Sequence, residues 1–210
     1  MSLDVLVSPK EAKGSEQQRM KHLIAAWMLL SILILGGCAQ PLETPGAEIG
    51  EDPVAELAQA IHALDPEVDP GEARRAAEIS YSYSTRLAQG YGVTTAPLVH
   101  NSKVNAGLKE RGLCYHYAED MQARLNQEGF QTLTMLRAIA EPRNPLFIDH
   151  STAVIAAKGD DIYQGIVLDP WRHGGKLFWS PTLTDKRYDW EPRQKVLQRK
   201  RERSQRNKVS

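Results

Sequence analysis

At 210 residues with 41% hydrophobic and 25% charged side chains, the chain can build one domain around a real core, which sets it apart from disordered polymers. Its formal charge of zero hides an uneven distribution: residues 1–37 carry +1 and residues 193–208 carry +7, leaving −8 on residues 38–192. An acidic body argues against a nucleic-acid surface, and two cysteines exclude a disulfide framework.

The first element in chain order is a charged, then apolar, then small-residue stretch: Lys21 with His22, the 13-residue run Leu23–Leu35 interrupted only by Ser31, and Gly36-Gly37-Cys38. The run is short of the ~20 residues a membrane-crossing helix needs, so it reads as a signal peptide. Leu35-Gly36-Gly37-Cys38 resembles the lipobox of bacterial lipoproteins. That resemblance implies a diacylglyceryl group on Cys38, cleavage before it, and a membrane as partner through the lipid. Ala39 rather than an aspartate follows the cysteine, which by resemblance to lipoprotein sorting implies the outer membrane, facing the periplasm. Residues 1–19 put Asp4, Glu11 and Glu16 ahead of the signal, whereas a start at Met20 gives a compact one; Met1 and Met20 both stay open. Cleavage leaves 173 residues, opening on a tether over residues 38–50 that is rich in Pro, Gly and Glu.

An N-terminal helical part is expected over residues 51–94. Asp52 can cap and Pro53 open a helix with Val54, Leu57, Ala58, Ile61 and Leu64 on one face. Asp69-Pro70 repeats the start for a helix reaching about Gln89, stopped by Gly90 and Gly92. Over residues 95–192 the sequence predicts a core with a helix from Pro97 to Arg111, stopped by Gly112, and another from Cys114 to Gln127, stopped by Gly129. In the latter, Cys114, Ala118, Met121 and Leu125 share a face. His116 points roughly 200° away from Cys114. Alternation then predicts strands at Phe130–Ala138, Phe147–Ala157 and Ile162–Leu168, with Lys158-Gly159-Asp160-Asp161 as a turn. The aromatic residues Trp171, Phe178, Trp179, Tyr188 and Trp190 fall in loops and short strands. Residues 193–210 form a basic tail, read as disordered or as a fraying helix, whose charge can lie against anionic headgroups. The pattern is α+β: N-terminal helices packed with an antiparallel sheet.

A turn symmetric about Gly159-Asp160 would set Ala157 opposite Ile162, Ala153 opposite Ile166, and His150 opposite Asp169, within reach of a hydrogen bond. Cys114 has no cysteine partner once Cys38 is lipidated, so its thiol is either inert through burial or kept for reaction. With His150 as base and Asp169 fixing the imidazole tautomer, it would complete a thiolate triad. First-turn N–H groups favour an anion beside it. Other readings stand beside these: a core thiol, a structural histidine, and an Asp169 that shapes a turn before Pro170.

Gly112-Leu113-Cys114-Tyr115-His116-Tyr117-Ala118, His150-Ser151-Thr152-Ala153-Val154 and Val167-Leu168-Asp169-Pro170-Trp171 resemble the Cys, His and Asp segments of bacterial transglutaminase-like domains, relatives of papain-like proteases. The resemblance implies a core in which the cysteine begins a helix and the other two lie on neighbouring strands. It implies Cys114 as nucleophile, His150 as base and Asp169 as its orienter. The chain departs from the pattern in having Tyr115 and Tyr117 rather than a tryptophan beside the cysteine. Leu108 stands where an oxyanion-hole glutamine would be sought, with Asn101 and Asn105 as alternative donors. His62, His100, His116 and His173 are read as structural or solvent-facing, with Arg172 and His173 as cleft-lining candidates in the alternative. No cofactor is expected, and Cys114 with His116 lacks the spacing of a zinc site. The expected activity is a cysteine hydrolase or acyl transferase acting on an amide of an envelope peptide, protein or peptidoglycan. The alternative is a noncatalytic binding or assembly lipoprotein of the same fold.

Overall fold

The computed structural model describes residues 52–141 and 148–209, so the signal run Leu23–Leu35, the lipidation site Cys38 and the tether lie outside the described residues. Within them the fold is α+β, with helices α1 (Pro53–His62), α2 (Pro70–Gly90), α3 (Pro97–Asn105), α4 (Cys114–Asn126) and α5 (Arg193–Val209). The strands are β1 (Leu133–Ala140), β2 (His150–Ala157), β3 (Ile166–His173), β4 (Lys176–Pro181) and β5 (Glu191–Pro192).

The helix starts follow their capping residues. Asp52 accepts a hydrogen bond from the Val54 N–H at 3.1 Å, and Asp69 from the Glu72 N–H at 2.7 Å, each satisfying a donor that has no partner inside its helix. Pro53 and Pro70 occupy the first helical positions, where no N–H is needed. The expected helix from Pro97 to Arg111 is shorter than the sequence suggested, because it ends at Asn105. Gly107, at φ +73°, takes the left-handed conformation, while its N–H donates to the Val104 carbonyl and that of Leu108 to the Lys103 carbonyl. This paired closure satisfies two orphaned carbonyls and stops the helix at Asn105, well before Gly112.

The sheet runs β4-β3-β2-β1-β5, antiparallel throughout. β1 begins at Leu133, later than the expected Phe130, and β3 runs Ile166–His173 instead of Ile162–Leu168. The hairpin register also differs: Ala153 faces Leu168 and Ile155 faces Ile166. The connection is not a turn centred on Gly159-Asp160. A second turn follows, in which the Gly165 N–H donates to the Ile162 carbonyl and Asp161 accepts from the Tyr163 N–H. The displacement is two residues, one full side-chain period, so each residue keeps its face.

β2 is buried along its whole length, as is all of β3 but His173, because the sheet is covered on both sides. On one side Leu57 and Ile61 of α1 and Met121 and Leu125 of α4 pack on Ile155 and Leu168. On the other, Trp190, Tyr188, Phe178 and Tyr163 cover Val154 and Val167. The basic tail is a helix, contrary to the disordered reading and firmer than a fraying one. Val196 is fully buried, Arg199 pairs with Glu141 and Glu191, and Lys200 pairs with Asp149. Of those partners, Glu141 and Asp149 lie far away in sequence.

Candidate active site

Cys114 is the first residue of α4, and the chain delivers it there through a tightly held connection. The His100 ring donates from Nε2 to the Arg111 carbonyl, 2.9 Å away. It lies against Gly112, where a Cβ would come 2.3 Å from His100 Nε2 and where φ is +122°. Only glycine fits there. Arg111 and Tyr91 both bond Asp120 on α4, at 2.7 and 2.5 Å. Leu113 offers no side-chain cap; instead His116 Nδ1 accepts from the backbone N–H groups of Gly112 and Leu113 at 3.1 and 3.2 Å. Burial, followed by the positive charge of Arg111, holds the His116 pKa below its ordinary value, which suits a bare nitrogen acting as acceptor. The reading of His116 as structural agrees with this capping role.

The thiol sits 3.8 Å from the Asp149 carbonyl and packs against Trp171 and Tyr117. Trp171 reaches the thiol from β3. His150 opens β2, and its Nε2 lies 2.6 Å from Asp169 Oδ2. With Nε2 committed, Nδ1 is buried without another partner and is the nitrogen left for the Cys114 thiol, whose interaction with the ring contributes to its basicity. Burial works to lower the His150 pKa, but the Asp169 charge and hydrogen bond, then Cys114, outweigh it and raise the value to about 9. At neutral pH the ring therefore holds both protons. Asp169 shows the converse: burial opposes its charge, yet His150 and Arg172 hold its carboxyl below the usual range.

Arg172 extends the chain of charges. Its Nε donates to Asp169 Oδ2 at 2.9 Å, and its two terminal nitrogens donate to Asp185 at 3.2 and 2.6 Å. Asp185 also accepts from the Trp190 indole at 2.9 Å. The guanidinium lies 3.7 Å from the Phe178 ring centroid, and the His150 ring is flanked by Trp171, Tyr188 and Trp190. Imidazole, carboxylate and guanidinium are thereby held in place by one another in a mostly aromatic surround.

The expected trio of Cys114, His150 and Asp169 is thus brought together, although His150 and Asp169 are diagonal neighbours rather than directly opposed. Asn101 is buried near it, but its Oδ1 accepts from the Trp171 indole, making it a support for the aromatic wall. Asn105 and Leu108 are exposed, away from an oxyanion-hole position. His173 is exposed, whereas Arg172 is buried in the network rather than lining a cleft. Asp185, Tyr188 and His100 were missed as site residues because their partners are distant in sequence. Exposed Tyr115 and Ile148 flank the thiol and imidazole along the chain. Among the described residues no cluster of three His, Cys, Asp or Glu side chains is arranged to hold a metal, nor is any helix long and apolar enough to cross a membrane. No family model matches the chain, and neither does any curated protein or solved structure.

Proposed function

We propose that the chain is a lipid-anchored envelope enzyme with a transglutaminase-like core, using Cys114, His150 and Asp169 to cleave or transfer an amide-linked acyl group. The observation that carries this reading is the buried relay: the Cys114 sulfur on the Nδ1 side of His150, and Nε2 held 2.6 Å from Asp169. The Cys114 sulfur attacks the amide carbonyl, and the Cys114 and Tyr115 N–H groups, ahead of the His116 and Tyr117 N–H groups that already donate to the Leu113 carbonyl, stabilise the developing oxyanion. Protonated His150 gives its Nδ1 proton to the leaving amine as the C–N bond breaks. Water or a second amine, deprotonated by the now neutral imidazole, attacks the thioester carbonyl; the C–S bond breaks, the acyl group leaves and the thiolate beside protonated His150 is restored. Asp169 keeps the ring oriented and stabilises its charge. Lipidation of Cys38 would hold this domain at the membrane, most simply the outer membrane facing the periplasm, within reach of peptide, protein or peptidoglycan amides.

A second reading rests on one specific observation: Cys114 and His150 are only 7% and 2% exposed, as a noncatalytic binding or assembly domain with the same core would have them. Alkylation separates the two. At pH 6.5, iodoacetamide should modify Cys114 at least about tenfold faster in the native protein than in His150→Gln, since loss of the imidazolium removes a charge-assisted partner of the sulfur. That advantage should fade as the pH rises past about 9, where His150 gives up its proton. A thiol that stays inert in the folded protein at both pH values rejects the enzyme and leaves the binding domain.

A further inference from the structure

Arg137 on β1 is the charged group in the neighbourhood of the thiol for which the relay has no use. Its Nη2 donates weakly, at 3.3 Å, to the Tyr115 carbonyl beside the nucleophile and to Ser151 Oγ. Its Nε is buried and has no hydrogen-bond partner, and among the described residues no carboxylate lies within ion-pair distance. The buried guanidinium of Arg172 is matched by two carboxylates, whereas half-buried Arg137 has none among the described residues. Burial, then the like charge of Arg193, depresses the Arg137 pKa, an arrangement that costs stability unless an anion completes it.

The same side chain lines a cavity of about 490 Å³, with Arg193 and Gln122 near it and Asp160 and Asp161 on the lining as well. That volume holds a short peptide segment. A guanidinium presents a planar fork that pairs with a carboxylate through two hydrogen bonds. Asp160 and Asp161 give the cavity a polarity: carboxylate toward Arg137 and Arg193, a cationic or amide group toward the aspartates.

We propose that Arg137 is a substrate-positioning residue that binds a carboxylate on the acyl side of the scissile amide, so that the substrate is an acidic peptide. This rests on Cys114 being the nucleophile, and it adds the substrate class to that reading. Arg137 does not exchange protons in the reaction; it fixes where the carbonyl stands relative to the sulfur.

Two small reagents of equal reach test it on the full chain in detergent. Iodoacetate and iodoacetamide both react by attack of the sulfur electron pair on the CH₂ carbon with departure of iodide, and they differ only in carrying a carboxylate or a carboxamide. The ratio of their rates cancels any general change in thiol reactivity. It should fall about tenfold in Arg137→Gln, the effect of losing one charge-assisted hydrogen bond, and be largely retained in Arg137→Lys. An unchanged ratio in Arg137→Gln overturns the proposal.

Binding of N-acetyl-alanyl-alanine and its C-terminal carboxamide, measured by calorimetry, gives a readout that needs no reactive thiol. The carboxylate form should bind more tightly to the native chain and lose its advantage in Arg137→Gln. Equal binding of the two forms overturns the anion site whatever the thiol does. A preference that depends on Arg137, in a protein whose thiol resists both reagents, keeps the anion site and overturns the thiolate reading instead.

Discussion

The two faces of the sheet are closed in opposite ways. The face under α1, α2 and α4 is filled with Leu, Ile, Ala and Met side chains that carry no polar obligations. Its partner face is closed by aromatic rings threaded with His150, Asp169, Arg172 and Asp185. Apolar packing stabilises whatever its exact partners, within limits of volume, whereas a buried ionic chain adds little net stability but is costly when broken. The first face holds the domain together, and the second holds groups in one arrangement. A site that needs a fixed imidazole gains from that division.

The largest expected effect comes from breaking the ionic face. Arg172→Met leaves Asp185 buried without its cation and Asp169 with His150 alone, and should cost about 3–5 kcal/mol in denaturant unfolding; a loss below about 1 kcal/mol would show that the network is not structural. On the apolar face, Leu168→Ala should cost about 2–5 kcal/mol. Here the comparison sharpens. Cys114 alkylation measured well below the denaturation midpoint should be preserved in Leu168→Ala and altered in Arg172→Met. Equal disturbance of the thiol by both would mean that the two faces do not divide the work.

A smaller effect tests the one carboxylate that serves the apolar side. Glu72 accepts from the N–H groups of Gln131 and Thr132 at 2.7 and 2.9 Å and from the Thr132 hydroxyl, tying the start of α2 to the segment before β1. Burial raises its pKa, but these bonds prevail and hold it below 4.5. Its stabilisation is therefore present above pH 4.5 and lost as the pH falls through the lowered folded-state value. Glu72→Gln should cost about 1–3 kcal/mol at neutral pH, with the difference from the native protein shrinking under acid. A difference that persists unchanged at pH 2 would sink this assignment.

What was legible in the sequence follows the range of the interaction concerned. Asp52-Pro53 and Asp69-Pro70 act within one turn and announce their helices. Gly107 has the same local nature, yet the later Gly112 drew the expected stop because both are preceded by helix-compatible residues; their difference lies in what each closes, a helix end for Gly107 and the approach to His100 for Gly112. The pairing of His150 with Asp169 survived a register error because strand side chains alternate with a period of two. Arg172 gave no local sign of its role, since Asp185 reaches it from a separate loop. The tail looked unstructured for the same reason: its acidic partners Glu141 and Asp149 sit on the far side of the fold in sequence terms, and Val196 alone supplies its buried anchor.

The contact between Gly112 and His100 has a consequence for how such a site can be found in other chains. The imidazole at position 100 occupies the space where any side chain at 112 would begin, so the two residues constrain each other and together fix the approach to the sulfur. The segments around Cys114, His150 and Asp169 are each short. A histidine twelve positions before a glycine, with a cysteine two positions after it, adds a pair whose spacing is set by sterics rather than by chemistry. Joined to an arginine three residues past the aspartate, it forms a signature that reports the geometry of the site and can be read from sequence alone.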